Sequence, residues 1–144
     1  MEKIIKTLQK DLVKIYRSGL KEKPLYLLAE DNCSEASRLV AIWIKRKFNE
    51  AKLFILKGEY VPKKFHDVLV CQLNDKFYLI DASVWQFFKK KRNILIGEFK
   101  NMDDVIVKVK KIYGGKWGSV ETLNNFNDEK ELTEIIKVNI SLDT

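Results

Sequence analysis

The sequence predicts an α+β fold in which helices flank an antiparallel sheet, and three observations carry that expectation. Near the start of the chain, apolar residues recur with the 3.6-residue period of a helix, as in Ile4, Ile5, Leu8, Leu12, Ile15 and Tyr16. Between residues 52 and 81 the pattern changes to short apolar runs, such as Leu53-Phe54-Ile55-Leu56 and Val68-Leu69-Val70, which is the signature of strands. Two of those runs are separated only by Asn74-Asp75, residues suited to a tight hairpin turn.

Each element follows in order. The first amphipathic helix ends at Ser18-Gly19, and Lys23-Pro24 breaks the chain after it. A polar entry, Glu30-Asp31-Asn32-Cys33-Ser34-Glu35, then leads into Ala36, Leu39, Val40, Trp43, Ile44 and Phe48 at helical spacing. Asn32 with Glu35 three residues on fits a capping box, so a second helix is expected to start at or beside Cys33. A strand from Lys52 is expected to break at Gly58, and the hairpin joins a strand from His66 to Leu73 with one from Lys76 to Asp81. The tract Lys89-Lys90-Lys91-Arg92 reads as an exposed turn before a further strand at Ile94, Leu95 and Ile96. Asn101 caps a helix through Met102, Val105, Val107 and Ile112 that stops at Gly114-Gly115. Residues 116 to 127 are expected to be loop, and residues 129 to 138 a last helix.

Length and composition bound the rest. A chain of 144 residues with 46% hydrophobic and 33% charged residues is expected to fold as one globular domain. Neither a membrane span nor a signal-peptide pattern is visible, so a cytoplasmic location is expected, with both cysteines as free thiols. With one histidine and no CxxC pair, no metal site and no cofactor are expected. The net charge of +7 favours acidic partners, but the lysines are dispersed, so nucleic acid is an unlikely partner.

Cys33 carries the first chemical signal. A thiol in the first turn of a helix sits where unpaired N–H groups and the helix dipole favour the thiolate, and the same N–H groups can donate to an oxyanion. Cys71, inside an apolar strand, reads as structural. The second signal comes from counting. If Asn74-Asp75 is a two-residue turn, paired positions sum to 149, Val68 faces Asp81, and His66 and Asp81 are diagonal neighbours on one face of the sheet. A histidine held by a carboxylate has the fixed tautomer that a general base requires. Trp85 is expected to line a substrate cleft, while Gln86 is open between a structural hydrogen bond and the site.

The order Cys33, His66, Asp81, with the cysteine opening a helix and the other two on successive strands, resembles the papain-like and transglutaminase-like cysteine hydrolases, a group that includes the arylamine N-acetyltransferases. The stretch His66-Asp67-Val68-Leu69-Val70, followed by Tyr78-Leu79-Ile80-Asp81-Ala82-Ser83-Val84-Trp85-Gln86-Phe87, is similar to the pattern of its small bacterial members, and the likeness spans roughly residues 30 to 88. The resemblance implies a papain-like core, with the nucleophile-bearing helix packed on an antiparallel sheet. It also implies Cys33 as nucleophile, His66 as base and acid, and Asp81 as the orienting group. Papain's upstream glutamine has no counterpart in Leu27-Leu28-Ala29, so the oxyanion would fall to the Cys33 N–H with Asn32 or Gln86. The function so implied is a cysteine peptidase, amidase or acyltransferase acting on a peptide, an isopeptide or a glutamine side chain. The alternative is an inactive relative serving as a basic binding module for an acidic protein or nucleic acid.

Overall fold

A computed structural model describes residues 1–18, 23–30, 32–61, 64–90 and 93–142. Among the described residues, five α-helices and five strands run in the order α1 (Glu2–Tyr16), α2 (Leu25–Leu28), α3 (Cys33–Lys47), β1 (Lys52–Val61), β2 (Lys64–Leu73), β3 (Lys76–Ile80), β4 (Leu95–Phe99), α4 (Met102–Tyr113), β5 (Lys116–Thr122) and α5 (Glu129–Leu142). A 3-10 turn at Val84–Gln86 follows β3. The strands form one antiparallel sheet in the order β4-β3-β2-β1-β5. The α+β class read from periodicity is the class observed.

The period-2 alternation of the strands sends consecutive side chains to opposite faces, and each face has its own core. Leu53, Ile55, Leu69, Cys71 and Ile80 pack beneath α1, α3 and α5. Leu56, Val68, Val70 and Leu79 pack beneath Val105, Val109 and Tyr113 of α4 and Trp117 of β5. On α1 the buried positions are Ile5, Leu8, Leu12 and Tyr16, the stripe that the helical period marks out.

The hairpin between β2 and β3 has the counted register. Leu73 pairs with Lys76 and Leu69 with Ile80. Asn74 and Asp75 adopt φ values of 52° and 64°, the left-handed conformation that a two-residue turn demands of both central residues. Asn101 accepts the Asp104 N–H at 2.8 Å, capping α4, whose end is marked by Gly114 at φ 69°.

Four expectations are corrected. Gly58 does not break β1: the strand continues to Val61, and a Cβ at Gly58 would lie 2.2 Å from Cδ2 of Trp117. The glycine makes room for an indole on the neighbouring strand. Residues 116 to 122 are not loop but the edge strand β5, paired with β1 through a register shift at Lys57/Gly58. Its sequence KWGSVET has two apolar side chains and a glycine in seven residues, too few to announce a strand. The stretch after Pro24 contains the short helix α2 rather than only a polar entry. The Asn32–Glu35 capping box does not form: Asn32 precedes α3, but its side chain makes no cap hydrogen bond. Of the basic tract, Lys89 and Lys90 are an exposed turn, and Lys91 and Arg92 lie outside the described residues.

Candidate active site

The site is assembled where the β2 and β3 hairpin meets the start of α3 and the end of α4. His66 points from β2 to the α4 side, as do Val68 and Val70 two and four residues on. Asp81 directly follows β3, with its own N–H bonded to Ile94 O at 2.8 Å. Both side chains are fully buried. His66 Nε2 lies 2.9 Å from Asp81 Oδ2, so the diagonal relation counted from the turn becomes a direct contact.

The carboxylate is held at both oxygens. Oδ1 accepts the Ser83 N–H at 3.0 Å and the Ser83 hydroxyl at 3.3 Å. Besides His66, Oδ2 accepts the Tyr113 hydroxyl, brought in by the last residue of α4. Asp81 thus closes the turn after β3 and orients the imidazole at once. Burial, and then the Asp81 charge, push the Tyr113 phenol far above its ordinary range, so it stays a neutral donor.

Around the imidazole stand three rings, with centroid separations of 4.4 Å to Phe87, 5.1 Å to Tyr113 and 6.1 Å to Trp117. The Cys33 thiol, at the first position of α3, also hydrogen-bonds to His66. Burial alone would lower the imidazole pKa. The Asp81 charge, its hydrogen bond and the Cys33 thiol outweigh that, and the net result is a pKa raised to about 9. Cys71, by contrast, is a buried thiol pushed up to about 12 by desolvation, which makes it a poor nucleophile.

Comparison with protein-family models, curated proteins and solved structures finds no match to this chain. The site therefore rests on its own geometry.

Cys33, His66 and Asp81 are brought together as the sequence expected, and Gln86 joins them. Its Nε2 lies 3.3 Å from His66 Nδ1 and donates to the Ser83 hydroxyl at 3.2 Å. Asn32 does not serve as an oxyanion donor. Its amide is fully buried, donates to Leu28 O at 3.1 Å and Glu30 O at 3.3 Å, and accepts from Asn139 Nδ2 at 2.9 Å. It fixes the loop in front of α3 instead. Trp85 is only 4% exposed, stands edge-on to Tyr16 at 6.2 Å, and lines a cavity whose walls include none of the three central residues. The expected cleft residue therefore borders this neighbouring cavity rather than the three central residues.

Sequence reasoning missed Tyr113, Trp117 and Ser83 as site residues. The Asp81-Ala82-Ser83 turn pattern signals Ser83, because an Asp side chain commonly accepts the N–H two residues on. Tyr113 and Trp117 carry no local signal and depend on where α4 and β5 land. No group of three or more His, Cys, Asp or Glu that could hold a metal ion occurs among the described residues. No helix among them is long and apolar enough to cross a membrane.

Proposed function

We propose that this protein is a cysteine-dependent acyl hydrolase or acyltransferase with a papain-like or transglutaminase-like core, acting through Cys33, His66 and Asp81. The observation that carries the reading is the position of His66, buried between a carboxylate and a helix-start thiol. An ionised carboxylate can only accept, so Nε2 donates to Asp81, and Nδ1 is the nitrogen available to the thiol. The raised pKa of about 9 keeps the imidazole protonated at neutral pH, as the proton donor that a departing nitrogen needs.

The thiolate Sγ adds to the carbonyl carbon of an amide, and the carbonyl electron pair moves to oxygen. The tetrahedral centre collapses as Nδ1–H gives its proton to the departing nitrogen, so the C–N bond breaks and a thioester remains on Cys33. Water or an amine then loses a proton to Nδ1, attacks the thioester, and releases the thiol. The first hydrogen bond along α3 runs from Ala36 N–H to Asn32 O, so the N–H groups of Cys33, Ser34 and Glu35 lie free of the helix ladder, available to an oxyanion. Gln86 can add a second donor: a protonated Nδ1 cannot accept, so the Gln86 amide 3.3 Å from it is available to the reacting carbonyl.

The experiment uses p-nitrophenyl acetate as the acyl donor and mass spectrometry as the readout. Cys33 should gain one acetyl group with a burst of nitrophenol, and Cys33→Ala should gain none. His66→Ala should lower acylation by about a hundredfold or more while the circular dichroism spectrum is retained. Because the chain has one histidine, no other imidazole can substitute. Acetylation of Cys33 at the same rate in the presence and absence of His66 would falsify the proposal.

A further inference from the structure

The basic tract is not absorbed by the triad, and the structure gives part of it a location. Lys89 and Lys90 line a cavity of about 600 Å³ together with Arg17 at the end of α1, Tyr26 of α2, and Trp85 of the 3-10 turn. Among the described residues that line it, none is acidic. Lys89 Nζ stands 4.2 Å from the centroid of the Tyr26 ring, so one of the three cations is held at the wall by a cation–π contact.

The cavity is next to the site. Trp85 lines it and packs edge-on against Tyr16, whose phenol is pushed well above its ordinary range by burial and then by the nearby Asp81 charge. The Tyr16 hydroxyl donates to Ala82 O at 3.0 Å, beside Asp81. Trp85 and Tyr16 therefore link the cavity to the Asp81 end of the site.

We propose that this cavity is a specificity subsite for an anionic group, carboxylate or phosphate, on the acyl substrate, which makes the substrate class an acidic peptide or protein segment. This rests on the acyl-transfer reading of Cys33. Lys89 and Lys90 in a concave wall, beside Arg17 whose guanidinium donates to Lys23 O at 3.0 Å, raise the local concentration of an anion and reject a cationic segment. Iodoacetamide, too small to reach the cavity, reports on the thiol alone.

The test uses the full chain and chloroacetyl-capped peptides that alkylate Cys33. The thiolate Sγ forms the bond to carbon, and chloride departs. A series in which a single Glu, Gln or phosphoserine is moved along an otherwise fixed peptide is compared with iodoacetamide. At low salt, Glu or phosphoserine at one position should label Cys33 about tenfold faster than Gln, since several charge contacts each contribute modestly. The advantage should fade near ~1 M salt, where the screening length falls to ~3 Å. The relative rates of the Glu and phosphoserine peptides identify which anion the cavity prefers. In Lys89→Glu/Lys90→Glu the preference should vanish or invert while the iodoacetamide rate is unchanged. Equal rates for all three peptides at every position would overturn the subsite, as would a preference that survives the double charge reversal. Slow iodoacetamide labelling counts against the triad instead, and the peptide ratio remains readable at any absolute rate.

Discussion

Asp81 is a buried carboxylate with four donors: the Ser83 N–H, the Ser83 hydroxyl, the Tyr113 hydroxyl and His66 Nε2. A charge taken out of water is tolerable only when paired and hydrogen-bonded, so the imidazole beside it is held as imidazolium. The sole histidine should give one imidazole signal set in 15N NMR, titrating near 9. A midpoint at or below the ordinary value would overturn the pairing. The sign of the linked stability follows. The folded-state pKa of His66 lies above its unfolded value near 6.5, so its contribution is complete below that pH and is lost as pH rises through about 9. Between pH 6 and pH 10, the advantage of wild type over His66→Gln in urea unfolding should shrink by about 3 kcal/mol. Tyr113→Phe removes a donor from the same oxygen that holds Nε2. The carboxylate then keeps more of its charge for the imidazole, and the His66 midpoint should move upward while stability falls by about 1–2 kcal/mol. A midpoint that stays in place would show that the phenol does not tune the pair. At this scale the relation of His66 to Asp81 was legible, because hairpin register is local arithmetic. Tyr113, 32 positions from Asp81 in the chain, was not.

Among the elements, β5 shows how a sheet can complete a site without advertising itself. Its Trp117 both covers Leu56, Val68 and Val70 and faces His66, and the indole N–H is fixed by Gly114 O at 2.7 Å. That packing needs a strand residue without a Cβ opposite the ring, which is the role of Gly58. Gly58→Ala should therefore destabilise the fold by about 1–3 kcal/mol through overpacking, and should perturb the His66 NMR signals because the displaced ring is their neighbour. Gly118, on the same strand as Trp117, has open space where a Cβ would stand, so Gly118→Ala should spare the His66 signals. Equal perturbation by the two substitutions would remove the argument for Gly58. The elements with strong periodicity, α1, α3, α4 and the β2 and β3 hairpin, were legible for the same reason: each repeats its own pattern over several turns or pairs. β5 is an edge strand whose identity comes from β1.

At the scale of the molecule, the start of α3 is set by the end of the chain. Asn139 of α5 donates to Asn32 Oδ1 across 107 positions of sequence, and this contact together with the Leu28 and Glu30 carbonyls, not a capping box, fixes the Asn32 side chain. The sequence rule for capping failed because it is local, and a buried amide takes whichever partners the tertiary structure offers. The same contact ties the nucleophile's loop to the outer helix, which is anchored by Leu132, Ile136 and Ile140 in the core shared with α1 and α3. Asn139→Ala leaves Asn32 Oδ1, in a fully buried side chain, without its donor. The substitution should lower the unfolding free energy by about 1–3 kcal/mol. It should also slow alkylation of Cys33, the next residue along, more than a loss of helix α5 propensity explains. Val138→Ala, at an exposed neighbouring position, is the control and should change neither quantity by much. If Asn139→Ala matches that control in both urea unfolding and iodoacetamide rate, the last helix acts on the site only through the general stability of the core.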